Sequence, residues 1–389
     1  MHRSRRLRDI EPFHVMELLR RARELEAAGR DIIHMEVGEP DFPTPQPILD
    51  AAQHFIRSGD VHYSSGLGLP ALREAIAHYY QQRFGVDIGP ERIIVTAGAS
   101  AALLLALAAT TDPGDEWLLP DPGYPSNRHL VRTFEGRAVA LPVDAASHYQ
   151  PTPVQIDAMW TAHTRGLMVA TPSNPTGTLL SVDEIAALHA RTRAHRGILI
   201  VDEIYQGLSY GIEASTALAH PAMSAADDLF VVNSFSKYFG MTGWRLGWLV
   251  APAAMVSEME KLAQHFYIAP STPAQHAALA AFESGTREIL EARRAEFGQR
   301  RDVLLPALRE LGFGIACEPQ GAFYVYADVS HFGLDAESLA RRLIEEAGIA
   351  ATPGLDFGNH HPERHLRIAY TTRSARLLEA AERIAALQL

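Results

Sequence analysis

Residues 233–248 read NSFSKYFGMTGWRLGW, and the run that leads into them, LFVVNSF (229–235), is apolar and β-branched enough to be a buried strand. Lys237 therefore lies just past a strand's end. Two readings of it are open from this stretch: a structural lysine whose stem snorkels over apolar surface, or an amine held as a reactant. The same short loop region carries Ser234, Ser236 and Arg245. Arginine's planar fork of donors suits a phosphate, serine hydroxyls suit the remaining oxygens, and lysine suits a carbonyl.

Other buried runs end in comparable chemistry. After RIIVT comes AGASAALLL, a small-residue turn into an apolar helix, where the N–H groups of Ala99 and Ser100 and the Ser100 hydroxyl form a phosphate cradle or, alternatively, a plain helix cap. After GLMVATP comes SNPTG, in which Asn174 sits between prolines as a turn residue or as an amide held still for a ligand. GILIVDEIYQGL closes a strand with Asp202, a carboxylate that needs a partner: a local arginine, or a cationic ring nitrogen, with the Tyr205 hydroxyl three residues on. Taken together these groups fit a ligand with a phosphate, a ring nitrogen to be kept protonated, an oxygen beside a carbonyl, and an aldehyde open to an amine. Pyridoxal 5'-phosphate has all four.

The elements that position these groups alternate. Strand-like runs at 92–98, 116–120, 137–143, 166–172, 197–203, 229–235 and 246–252 are separated mostly by helical or loop stretches. That texture predicts an α/β fold: a mainly parallel seven-stranded sheet sandwiched by helices, with ligands at the carboxyl ends of its strands. A helix is expected over 14–28, a short strand at IIHMEV (32–37), and a proline-rich loop at GEPDFPTPQP (38–47). After about residue 275 the pattern changes to charged helices (282–311 and 335–347) with strands FGIACEP, GAFYVYADV and HLRIAYT, a smaller α+β domain. The division expected is 1–47 as an arm and segment joining the small domain, 48–275 as the large domain, and 276–389 as the small one.

At 389 residues two domains are expected, and 47% hydrophobic with 21% charged residues is ordinary for a globular chain. A net charge of −11 argues against a nucleic-acid partner. The longest apolar run, ASAALLLALAA (99–109), is too short to span a bilayer, and MHRSRRLR lacks the apolar stretch of a signal peptide. The single cysteine, Cys317, leaves no internal disulfide, fits a reducing cytoplasm, and is expected in the core with no histidine partner. NHHPERH (359–365) reads as a loop and not a metal site.

The motifs GEPDFPTP, YSSGLGLPALREA, TPSNPTG, VDEIY, SFSKYFGMTGWRLGW and HLRIAY, in this order, resemble a fold type I pyridoxal-phosphate enzyme, specifically a class I aminotransferase of the aspartate aminotransferase family, over nearly the whole chain. The resemblance implies that Lys237 forms the Schiff base with the coenzyme and, when released, shuttles the proton. It implies that Asp202 pairs with the pyridine nitrogen, and that Asn174 and Tyr205 bind the phenolic oxygen. Ser234, Ser236, Arg245 and the Ala99 and Ser100 amides would hold the phosphate, and Tyr124 in PDPGYPSNR would stack on the ring. Tyr63 would reach the other subunit's coenzyme, which makes the enzyme a homodimer with shared sites. Arg367 would clamp the substrate α-carboxylate, with Gly38 in backbone contact. Independently, an arginine alternating with apolar residues in a strand asks for an anion, either a bound planar carboxylate or a structural salt-bridge partner.

The activity implied is ping-pong transfer of an amino group from an L-amino acid to a 2-oxo acid such as 2-oxoglutarate. A β- or γ-lyase or a decarboxylase on the same scaffold is the alternative. No arginine or lysine stands out to receive a side-chain carboxylate, which puts aspartate as donor in doubt. Phe13, Phe266 and Tyr267 point to apolar or aromatic side chains, or to core and interface roles.

Overall fold

In the computed structural model, which describes residues 3–387, the aliphatic runs in the middle of the chain are strands. After a two-residue strand β1 (Ile33–His34), one sheet is built from β2 (Ile93–Thr96), β3 (Glu116–Asp121), β4 (Arg137–Pro142), β5 (Thr164–Ala170), β6 (Ile198–Asp202), β7 (Leu229–Ser234) and β8 (Gly247–Val250). The strand order is β2-β8-β7-β6-β5-β3-β4. Strand β8 runs antiparallel to both neighbours, and every other pairing is parallel. The mainly parallel seven-stranded sheet read from the sequence is thus present. The carboxyl ends of β2, β5, β6 and β7 open on one edge.

Side chains alternate across this sheet and place core on both faces. Ile94, Met168, Ile200, Val232 and Leu249 pack with the apolar helices Ala99–Thr110 and Val256–Phe266, while Val95, Val169, Val201, Val231 and Trp248 face the other core. Burial on both faces is why these strands are continuous apolar runs. Each aliphatic side chain fully withdrawn from water contributes about 1.5–3 kcal/mol, so a charged residue closing such a strand is there against the packing preference.

Beyond residue 283 the long helix Ser284–Glu310 leads to β9 (Tyr324–Asp328), β10 (Ile349–Ala350), β11 (Thr352–Pro353) and β12 (His365–Ala369). These make an antiparallel sheet β11-β12-β9 and a parallel pair of β1 with β10, in which Ile33 faces Ile349. The opening helix, His14–Ala27, is one residue shorter than expected.

Several expectations are corrected here. The strand expected over 32–37 is only Ile33–His34, because the Glu36 carbonyl is taken by side-chain donors, the Arg367 guanidinium and the Thr352 hydroxyl, and not by a neighbouring strand. FGIACEP is no strand: Gly314 bridges Asp328, and the chain then peels away toward the 144–149 turn. There the Cys317 thiol lies 3.8 Å from His148 Nδ1 and is partly exposed, so it has a histidine neighbour and is not a core residue. The helix expected over 335–347 is Ala336–Arg342 followed by a wider turn, Leu343–Ala347. Of NHHPERH, His365 already belongs to β12 and stacks on Tyr326 with centroids 4.6 Å apart. Among the described residues no helix is long and apolar enough to cross a membrane.

Candidate active site

Of the residues expected to hold the coenzyme or the substrate's carboxylate, all but one converge on one cavity of about 280 Å³. Its walls include Gly38, Ala99, Ser100, Tyr124, Asn174, Asp202, Tyr205, Ser234, Ser236, Lys237, Arg245 and Arg367. The exception is Tyr63, which is 80% exposed and lines no part of it. Phe13 lines the mouth, whereas Phe266 is 48% exposed and Tyr267 packs against the helix Val256–Phe266 cluster, both away from the cavity.

Asp202 closes β6 and is buried, with the Ile204 N–H donating to its Oδ1 at 3.1 Å. Burial pushes its carboxyl up to about 6, against the Ile204 N–H and the Lys237 charge. Lys237 follows β7 by three residues, and its Nζ donates to the Gly38 carbonyl at 2.6 Å. Burial pulls this amine down to about 8, opposed chiefly by the charge of Glu39. The amine also stands 5.8 Å from the centre of the Tyr205 ring. The buried Tyr205 hydroxyl lies 2.8 Å from that of Tyr324.

At the other end, Gly98 precedes the helix Ala99–Thr110 at φ +84°, and no side chain caps that helix, so its first N–H groups point free into the cavity. A Cβ on Gly98 would stand 2.7 Å from Arg245 Nη2, so the glycine lets the guanidinium lie against the helix start. A Cβ on Gly247 would likewise meet the Ala99 nitrogen at 2.8 Å. Both glycines serve close approach. Ser234 Oγ donates to Ser236 Oγ at 2.9 Å beside them. Backbone dipole, guanidinium and two hydroxyls make a built anion cradle.

Arg367 projects from β12. Its Nη1 donates to Asn174 Oδ1 at 3.0 Å, its Nη2 donates to the Glu36 carbonyl, and its Nε is buried without a partner. The guanidinium carbon is 4.4 Å from the centre of the Tyr324 ring and 4.8 Å from that of Phe357. An arginine so desolvated, with a donor unused, is arranged for a planar anion.

Three cations, Lys237, Arg245 and Arg367, face two carboxylates, Asp202 and Asp356, in the lining of a protein whose net charge is −11. The site is locally positive and suits an anionic ligand. Residues not anticipated from sequence also line it: Val15, Met16, Thr242, Tyr324, Asp356 and Phe357. Tyr324 was visible only as part of the strand GAFYVYADV. Asp356 carried no local signal, because it acts on the first helix of the chain: its carboxylate accepts from the N–H of His14 at 2.9 Å and of Val15 at 3.2 Å.

A family model described as aminotransferase class I and II matches residues 30–384. A valine–pyruvate aminotransferase of Mycobacterium tuberculosis is 36% identical over 375 residues, which are 96% of each chain. An aspartate aminotransferase of Geobacillus stearothermophilus is 34% identical and covers 99% of this chain and 98% of its own. Among solved structures, an aminotransferase from Mycobacterium tuberculosis superposes with a TM-score of 0.94 at 35% identity, covering 100% of this chain and 99% of its own. Thermus thermophilus aspartate aminotransferase with maleate gives 0.92 at 34% identity, covering 100% of both chains.

Proposed function

The chain belongs to the class I and II aminotransferases, and on that premise we propose that it is a pyridoxal-phosphate enzyme moving an amino group from an L-amino acid to a 2-oxo acid by a ping-pong course. The observation that carries this reading is that the Lys237 amine, the buried Asp202 carboxylate and the anion cradle of Gly98, Ser234 and Arg245 bound one cavity. These groups fit the coenzyme. A carboxylate with a single hydrogen-bond donor at a strand end has acceptor capacity left for a protonated ring nitrogen, and the uncapped helix start has donors left for a phosphate. Bound there, pyridoxal phosphate supplies an aldehyde that condenses with amines and a protonated ring that withdraws electrons from the bonds to Cα.

In this reading the rest of the chemistry belongs to the chain. Lys237 Nζ would hold the coenzyme's aldehyde carbon covalently at rest and, once displaced by a substrate amine, would take the proton from the substrate Cα and deliver it to that same coenzyme carbon. Asp202 keeps the ring nitrogen protonated, and Asn174 and Tyr205 hold the phenolic oxygen. Tyr124 covers the ring, and the Ala99 and Ser100 amides with Ser234, Ser236 and Arg245 hold the phosphate. Arg367 takes the α-carboxylate, with Gly38 beside it. The acceptor is a 2-oxo acid, and 2-oxoglutarate is one of those to assay.

Tyr63, exposed in the single chain, would complete the site of a second copy in a homodimer, and its exposure leaves it accessible for that role. The segments 1–47 and 276–389 flank a large domain, 48–275, a division supported by the pairing of β1 with β10. A reducing cytoplasm keeps the Cys317 thiol free.

Borohydride reduction of the coenzyme-loaded protein should fix the label on the peptide that contains Lys237. An amino acid alone should then convert the coenzyme to its amine form. Label elsewhere overturns the assignment, and release of ammonia and pyruvate without an acceptor turns the reading to a lyase.

A further inference from the structure

With a substrate's α-carboxylate on Arg367 and Asn174 and its amine at Lys237, the wall left for the side chain is formed by Phe13, Val15, Met16, Pro125 and Phe357. We infer that both substrates carry uncharged, largely apolar side chains: a donor such as leucine, methionine or phenylalanine, and an acceptor without a second carboxylate. The inference rests on the aminotransfer reading and departs from 2-oxoglutarate as acceptor.

Charge is the first argument. Of the cations in the lining, Lys237 sits on the Gly38 carbonyl, Arg245 lies against Gly98 at the cradle, and Arg367 is committed between Tyr324 and Phe357. The other nearby arginine, Arg128, lines an adjoining cavity of about 120 Å³ that shares Tyr124, Ala170, Asn174 and Phe357 with this one, and its Nη2 donates to the Asp356 carbonyl at 3.2 Å, behind the wall that the substrate side chain meets. Asp356 itself puts an anion behind the apolar wall, and Glu39 puts another near Lys237. In the lining of this cavity a second substrate carboxylate would meet Asp356 and no cation beyond those that serve the coenzyme and the α-carboxylate, an uncompensated burial.

Construction is the second argument. The helix His14–Ala27 has Phe13 at its N-cap position and no side-chain cap of its own. Its first two N–H groups are held instead by Asp356, 342 and 341 residues away in the chain. This contact pins the helix start so that Phe13, Val15 and Met16 overhang the cavity, and the Phe13 ring lies 6.4 Å from that of Tyr124. Phe13 and Met16 remain 37% and 57% exposed, apolar surface that a bound apolar side chain would cover.

The test is the first half-reaction of the coenzyme-loaded protein, followed by absorbance with leucine, methionine, phenylalanine, alanine, aspartate and glutamate. The expected result is a kcat/KM for leucine or phenylalanine about tenfold or more above that for aspartate or glutamate. Phe13→Ala should cost the large apolar donors roughly 10- to 100-fold more than it costs alanine. Met16→Arg, at an exposed position, should shift the ratio of aspartate to leucine by about tenfold or more toward aspartate. Aspartate or glutamate reacting faster than leucine in the unaltered enzyme overturns the inference and leaves the aminotransfer reading standing. Reaction with no amino acid overturns both.

Discussion

Lys237 Nζ donates to the carbonyl oxygen of Gly38 at 2.6 Å, joining residues 199 apart in sequence. The bond holds the amine at the cavity wall, while burial lowers its proton affinity to about 8 and Glu39 works the other way. The neutral, nucleophilic form therefore grows as pH rises toward 8 and is complete above it, well below the range of a solvated lysine. Covalent capture of pyridoxal phosphate by the coenzyme-free protein should rise about tenfold per pH unit below 8 and level off above it. Glu39→Gln removes the opposing charge, so the midpoint should move to lower pH. Stopped-flow absorbance checks both, and a flat profile from pH 6 to 9 contradicts the assignment of the amine.

Asp202 makes a stability prediction. Its folded value of about 6 lies above the unfolded value of 3.8, so the folded state holds the proton more tightly. The resulting stabilisation is present below pH 3.8 and is lost as pH rises through 6; at neutral pH the buried charge costs about 3 kcal/mol. Without coenzyme, Asp202→Asn should therefore unfold at higher urea than the parent at pH 7.5 and at equal urea near pH 4. With coenzyme the order should reverse, because the amide cannot pair with a protonated ring. A variant less stable than the parent without coenzyme at pH 7.5 rules out an uncompensated carboxylate.

How much of this was legible in sequence depended on how local the signal was. Lys237, Asp202 and Asn174 follow aliphatic runs that only a sheet buried on both faces explains, and all three line the cavity. Gly98 and Gly247 sit where a Cβ would crowd the cradle, and both fall within recognisable small-residue turns. Gly38 belonged to a recognisable loop, but its neighbour did not: a Cβ there would collide with the Tyr324 hydroxyl, which a chain distance of nearly 300 residues hides. Asp356 and Glu36 were hidden for the same reason, since each acts on an element far away in sequence. FGIACEP misled because its apolar alternation serves packing, with pairing limited to the single bridge of Gly314 to Asp328.

Arg367 is expected to act through the substrate's carboxylate alone. Arg367→Lys loses the planar fork and should lower kcat/KM for L-amino acids by about 10²–10³-fold. Capture of the coenzyme by Lys237 should persist. A primary amine with no carboxylate makes no use of the guanidinium, so its slow reaction should be equal in parent and variant. Equal losses for both substrates would place the arginine's role in holding Tyr324 and Phe357 instead.

A buried polar chain connects the neighbour of Asp202 to the cradle. The Glu203 carboxylate, 1% exposed, accepts from the Ala217 N–H at 2.6 Å, from the Thr216 hydroxyl at 2.9 Å and from Gln206 Nε2 at 3.0 Å. Gln206 Oε1 then accepts from Asn233 Nδ2 at 3.3 Å, and Asn233 Oδ1 accepts from the Ser234 N–H at 2.7 Å. The chain thus ties the end of β6 to the end of β7, where Ser234 stands. A network satisfied at every step fixes geometry, and breaking one link strands the others. Burial pushes the Glu203 carboxyl up to about 8, so Glu203→Gln, which keeps a neutral group in place, is a mild change near neutral pH, whereas Glu203→Ala leaves the Ala217 N–H and the Gln206 amide without their acceptor and should destabilise the protein by about 2–4 kcal/mol. If the chain sets the position of Ser234, the alanine variant should also release coenzyme several-fold faster on dialysis while the saturated kcat stays within about twofold, since the network touches the anion end and not the reacting carbon. Loss of stability with unchanged coenzyme release would confine Glu203 to the core.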